Sequence, residues 1–188
     1  MARWMLEEVG AEYQQELIEY VEPMKSPEYL NINPMGKVPA ISHRGKIVTE
    51  CAAICAYLAD VFPDKQLAPE IDVRADYYRW LFFGAGPLES AITNNSMKLE
   101  FKPEQERMLG YGTYAKTIEV LATKLGASTY ITGETFSAAD VYIGSHVIWG
   151  LQFGTIDSRT EFNDYAERLT SRPAYITARK IDADLIGK

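Results

Sequence analysis

The sequence predicts a small α/β domain followed by an all-α domain. Three observations carry this. Two short apolar runs, 38–42 and 46–49, flank the turn signal His43-Arg44-Gly45, which reads as a hairpin. From Glu50, apolar residues recur three and four apart at Ala53, Ile54, Tyr57, Leu58 and Val61, a helical period. Beyond the polar, proline-containing stretch 64–69, every periodic segment is helical. The division expected is therefore residues 1–63, a linker at 64–69, and residues 70–188.

In chain order, residues 2–9 read as a helix that stops at Gly10. Residues 13–21 mix apolar and acidic side chains, and strand is the preferred reading over a further helix. Pro23, Ser26, Pro27 and Pro34 fill a loop, with room for one helical turn at Glu28-Tyr29-Leu30. The helix from Glu50 ends at Phe62-Pro63. In the second half, helices are expected over 72–96, 103–126, 137–150, 161–170 and 173–183, punctuated by glycine and proline. Phe136-Ser137-Ala138-Ala139-Asp140-Val141 is a capping box: Ser137 caps the helix, Asp140 reaches back, and Phe136 and Val141 staple the start.

Composition narrows the function. The chain has 188 residues, net charge −7 and a hydrophobic share of 47%, all ordinary for a globular protein. An acidic balance argues against a nucleic-acid partner, which needs a basic surface. No apolar run approaches the length of a membrane span, and no signal peptide opens the chain. The only cysteines, Cys51 and Cys55, lie four apart on one helix, an unfavourable disulfide and a poor metal site without histidine neighbours. A reduced, cytoplasmic protein without a metal is expected. His146, inside the capped helix, reads as a satisfied core histidine rather than a catalyst.

One stretch points to chemistry. Asn33-Pro34-Met35-Gly36-Lys37-Val38-Pro39-Ala40-Ile41 is a turn running into a strand whose first peptide bond precedes a proline, and Glu50-Cys51 opens the next helix. A cis bond before Pro39 turns main-chain groups into a cleft, and a helix N-terminus is suited to a carboxylate. Singly, Pro39 reads as a strand start and Glu50 as an acid complementing the helix dipole.

Together with Arg3 to Gly10, the capping box and Ser171-Arg172-Pro173-Ala174-Tyr175, in this order, the stretch resembles the glutathione transferase family. The resemblance implies a thioredoxin-like domain joined to a helical bundle, a homodimer, glutathione as cosubstrate and an apolar small-molecule electrophile. Position by position it implies that Val38, before Pro39, pairs its main chain with the cysteinyl part of glutathione. Glu50 and Cys51 hold the γ-glutamyl end, and Lys37 approaches the glycyl carboxylate. It also implies that the aromatic segment 77–92 lines both a dimer interface and the electrophile pocket, in competition with plain core packing.

Two departures stand out. Cys51 occupies a position where the family usually has serine or threonine, and a thiol is the weaker donor. At a helix start it is open to two readings, a packed small residue or a reactive thiolate. Met1 already falls inside the family's first helix. The preceding strand and the catalytic tyrosine, serine or cysteine are thus expected upstream of Met1, and Tyr13, Tyr20 and Tyr29 do not take that place. The first domain is accordingly expected to be incomplete at its start. Three functions follow: transfer of glutathione to an electrophile, glutathione binding or scaffolding without turnover, and thiol-disulfide chemistry through Cys51.

Overall fold

The computed structural model describes residues 1–186. The first helix, α1 (Ala2–Val9), buries Trp4, Met5 and Val9 and stops at Gly10. Residues 13–21, expected as strand, are irregular. No neighbouring strand offers them a ladder among the described residues, and backbone groups form strand only when paired. Side chains hold the start of this segment instead: the Tyr13 hydroxyl donates to Glu7 (2.7 Å), and Arg3 donates to Tyr13 (3.2 Å).

A single helical turn, α2 (Pro27–Leu30), is capped by the Ser26 hydroxyl, which accepts from the Tyr29 N–H. Strands β1 (Ala40–His43) and β2 (Lys46–Thr49) pair antiparallel, Ala40 opposite Thr49 and His43 opposite Lys46. Helix α3 (Cys51–Val61) follows, packs against β2 and α1, and buries Ile54, Cys55, Leu58 and Ala59. The hairpin tip is tied to this helix by the 2.9 Å hydrogen bond between His43 Nδ1 and the Tyr57 hydroxyl.

The helical half begins with α4 (Ala75–Phe83), continues through a π-helical segment at Gly84–Leu88, and resumes as α5 (Glu89–Ser96). Pro87 lacks an N–H, and the looser π turn absorbs it inside one continuous helical run. The helix expected over 103–126 is broken. Only α6 (Pro103–Glu106) and α7 (Tyr114–Ala127) form, because Thr113 takes an extended conformation and caps a new helix by accepting from the Lys116 N–H. Helix α8 (Ala138–Phe153) follows, then α9 (Thr160–Thr170) and α10 (Pro173–Ile186).

Helix α8 is the axis of this half, with eleven buried residues on all its sides. It crosses α9 closely at Gly144, where a Cβ would stand 2.2 Å from Leu169 Cδ1. Its start is the capping box expected from sequence, and it is more extensively bonded than a simple box. The Asp140 carboxylate, 0% exposed, accepts from the Ser137 N–H (2.8 Å) and hydroxyl (2.9 Å), the Ile131 N–H (2.7 Å) and the Tyr165 hydroxyl (2.8 Å). One side chain thereby joins the start of α8, the preceding loop and α9.

Two ion pairs fasten α1 to α10 and its approach. Arg172 grips Glu8 with both arms of its guanidinium, 2.6 and 2.7 Å, and the Trp4 indole N–H donates to the same carboxylate at 2.8 Å. The guanidinium also lies 3.4 Å from the centre of the Phe136 ring. Arg3 pairs with Asp182 at 2.7 Å. The linker adds a further tie, since the Ala138 N–H donates to the Leu67 carbonyl at 2.8 Å.

Candidate functional site

The hairpin register brings two of the sequence-predicted residues together. Because Ala40 stands opposite Thr49, the next residues outward, Pro39 and Glu50, meet at the open end of the hairpin. Pro39 thus lies beside the start of α3, where Glu50 and Cys51 sit, although eleven positions separate Pro39 from Glu50. The Val38–Pro39 bond is cis, as the sequence reading expected.

Each residue presents a distinct group. Val38 is exposed, and its main-chain N–H and C=O pair with no protein group among the described residues. Lys37 is exposed. Its carbonyl faces the other way and accepts from the Tyr29 hydroxyl and the Asn33 side-chain amide, both at 2.7 Å. Glu50 is the N-cap of α3 with φ +66°, a left-handed conformation that a non-glycine residue holds only when its surroundings enforce it. Its carbonyl starts the helix by accepting from the Ile54 N–H at 2.8 Å. Its carboxylate makes no cap bond and joins no ion pair among the described residues.

Cys51, half-buried at the first turn of α3, is a thiol rather than a thiolate. Burial pushes its pKa up, and the Glu89 and Glu50 carboxylates push it in the same direction. Cys55, one turn on and fully buried, is pushed up to about 12 by burial. Both are free. The amino-terminal charge opposes the upward shift at Cys51, but the balance is upward, which favours the packed-thiol reading of Cys51 over a reactive thiolate.

His146 departs from its expected description. It is a core histidine, set edge-on to Tyr142 with ring centroids 4.9 Å apart, but its Nε2 has no hydrogen-bond partner among the described residues. Burial lowers its pKa to about 4, so the ring is neutral at ordinary pH. The aromatic segment divides. Tyr77 and Trp80 are core, whereas Tyr78 and Phe82 are exposed, Phe82 by 73%. No group of acidic, histidine or cysteine side chains that could hold a metal occurs among the described residues.

Tyr29 and Asn33 are what reading by motif missed. Asn33 was visible as the first residue of the turn, and an asparagine before proline is a recognised turn former. Nothing in sequence said that its amide would reach the Lys37 carbonyl, or that a tyrosine eight residues back would join it.

Fold and site together define a thioredoxin-like domain, carrying an open main-chain segment and a helix N-terminus, joined to a helical domain. Residues 1–60 match the family model described as glutathione S-transferase, N-terminal domain. Glutathione S-transferase F13 of Arabidopsis thaliana is 29% identical over 172 residues, 81% of this chain and 76% of that protein. Glutathione S-transferase GstA of Escherichia coli O157:H7 is 28% identical over 153 residues, 78% of this chain and 74% of that protein. A solved sphingomonad glutathione S-transferase complexed with glutathione superimposes with a TM-score of 0.74 at 26% identity, covering 97% of this chain and 92% of that one. The family model over the first domain, these relatives and the shared fold together support membership of the glutathione S-transferase family.

Proposed function

We propose that this protein binds glutathione at the open end of the hairpin and transfers it to an apolar electrophile. The observation that carries the reading is the unpaired main chain of Val38 beside an exposed Glu50 at the start of α3. An extended tripeptide adds to such a segment by main-chain hydrogen bonds. In this reading the cysteinyl residue of glutathione pairs with Val38. The γ-glutamyl end bears both an amine and a carboxylate. Glu50 takes the amine, while the first N–H groups of α3, beginning at Cys51, take the carboxylate. The Lys37 ammonium meets the glycyl carboxylate. Pro39 ends the segment, since it has no N–H to offer.

In the transfer step the glutathione sulfur forms a bond to the electrophilic carbon. The bond from that carbon to its leaving group breaks, the leaving group departs with the electron pair, and the thiol proton passes to water. Holding the two reactants together supplies much of the acceleration. None of the residues named above is assigned to activating the thiol. The exposed Tyr78 and Phe82 supply apolar surface for the electrophile or for a second copy of the chain. The reading takes residues 1–63 as the glutathione domain, 64–69 as linker and 70–188 as the helical domain, with a homodimer in the cytoplasm as the working state. No helix among the described residues is long and apolar enough to cross a membrane.

Calorimetric titration with reduced glutathione, followed by spectrophotometric turnover of a chlorodinitrobenzene, tests it. Saturable binding and formation of the thioether are expected. Binding without turnover would remove the transfer step, and no binding at millimolar glutathione would remove the whole reading.

A further inference from the structure

The three carbonyls just before Val38 are all held by side-chain donors. Lys25 Nζ donates to the Met35 carbonyl (3.1 Å) and the Gly36 carbonyl (3.0 Å). The Tyr29 hydroxyl and the Asn33 Nδ2 both donate to the Lys37 carbonyl, each at 2.7 Å. Asn33 uses its other atom as well, since Oδ1 accepts from the Met35 N–H at 3.1 Å. Tyr29 and Asn33 are buried, at 6% and 3% exposure, so these donors are held in place by packing. Gly36 makes the approach possible. Its φ is +57°, and a Cβ there would stand 2.7 Å from both Lys25 Nζ and the Met24 carbonyl.

The consequence for Val38 follows from peptide geometry. The Lys37–Val38 bond is trans, because the cis bond is the next one along. In a planar trans peptide the C=O of one residue and the N–H of the next point in opposite directions. Two donors pull the Lys37 oxygen inward, so the Val38 N–H on the same plane is turned outward. It is there that Val38 becomes exposed and its N–H finds no protein acceptor among the described residues.

We propose that Tyr29 and Asn33 are positioning residues: by gripping the Lys37 carbonyl they aim the Val38 N–H at the peptide ligand. Neither touches the ligand, and both act through one peptide plane. The inference rests on the glutathione reading given above for what occupies the site, but not for the aiming itself. Two donors on one carbonyl would hold this peptide plane in place before ligand arrives, which lowers the ordering cost of binding.

Two variants separate this role from plain structural support. Asn33→Asp keeps the oxygen that accepts from the Met35 N–H but removes the donor to Lys37. Tyr29→Phe keeps the packed ring and removes only the hydroxyl. Calorimetry with reduced glutathione is expected to show Kd raised about threefold in Tyr29→Phe and about tenfold in Asn33→Asp, the scale of one lost neutral hydrogen bond and of a lost bond plus a repelling carboxylate. In steady-state kinetics the loss falls on KM for glutathione and leaves KM for the electrophile within about twofold. A merely structural role lowers the fraction of active protein and leaves Kd of the folded remainder unchanged, which would overturn the proposal.

A second readout needs no ligand. In isotope-labelled protein free of glutathione, the Lys37 carbonyl carbon and Val38 amide nitrogen resonances are expected to shift in both variants. If the wild-type protein fails to bind glutathione, the preceding functional reading fails, and the aiming is judged by these resonances alone. If they stay in place in both variants, the aiming is wrong whatever the ligand.

Discussion

The starts of α8 and α3 each carry an acidic residue, and they use it in opposite ways. At the start of α8, Asp140 is wholly buried, and four donors from the Ser137, Ile131 and Tyr165 positions meet its two oxygens. At the start of α3, Glu50 is exposed, held in a left-handed conformation, and its carboxylate joins no ion pair among the described residues. Both starts offer the same helix dipole and orphan N–H groups. The first is closed by the protein itself and belongs to folding. The second is left open, together with the main chain of Val38. A polar group that stays unpaired in a folded chain is either on its way to water or available to a ligand.

If the contrast is real, substitutions at the two ends should separate stability from binding. The largest effect is expected at Asp140. Asp140→Ala removes the acceptor of four hydrogen bonds, all from buried residues, and should cost about 4 kcal/mol or more of unfolding free energy. Urea denaturation measures it, and a loss below about 1 kcal/mol would dissolve the distinction.

Next comes pH. The His146 pKa is lowered to about 4 by burial, while an unfolded histidine titrates near 6.5. Below 6.5 the unfolded chain binds a proton that the native ring refuses. Stability is thus intact above pH 6.5 and is lost as pH falls towards about 4, by about 3 kcal/mol in full. His146→Leu should flatten the stability profile over that window. An unchanged slope would mean that the ring is not neutral in the native core.

At the open end, the expected change moves from stability to affinity. Glu50→Gln should leave unfolding free energy within about 0.5 kcal/mol, because the side chain makes no cap bond. It should weaken glutathione about tenfold by losing the partner of the γ-glutamyl amine, as read by calorimetry. The smallest effect belongs to Cys51→Ser. Burial keeps the Cys51 thiol protonated, and a hydroxyl is the better donor. Affinity should rise by no more than about threefold, and turnover should persist. Loss of turnover in this variant would restore Cys51 as a reacting group.

Legibility from sequence followed the range of the interactions involved. The turn at Arg44-Gly45 announced the hairpin, and Ser137 with Asp140 announced the start of α8, because hairpin turns and caps are made within a few residues. The helix at Pro27–Leu30 and the stop at Gly10 were legible for the same reason. Residues 13–21 were misread because a mix of apolar and acidic side chains admits a strand, but a strand exists only beside a partner. The broken segment 103–126 was misread because helical periodicity on both sides hid the new cap at Thr113. For the site, Lys37, Val38, Pro39, Glu50 and Cys51 were identified by resemblance, and the hairpin register explains why Pro39 and Glu50 meet. Tyr29 stayed hidden because its hydroxyl reaches the Lys37 carbonyl across a turn that no local rule describes.

By itself, then, the sequence determined the α/β half with its helical successor, the capped axis of the second half and the stretch where chemistry is concentrated. Each of these rests on period, cap or turn, which are properties of neighbours in the chain. The tertiary structure alone decided which acid is closed and which is open, that the Cys51 thiol is held protonated, and that the Lys37 carbonyl turns inward so that the Val38 N–H turns out. Those outcomes depend on burial and on donors brought from distant positions, and desolvation and hydrogen-bond satisfaction are set by the packed molecule.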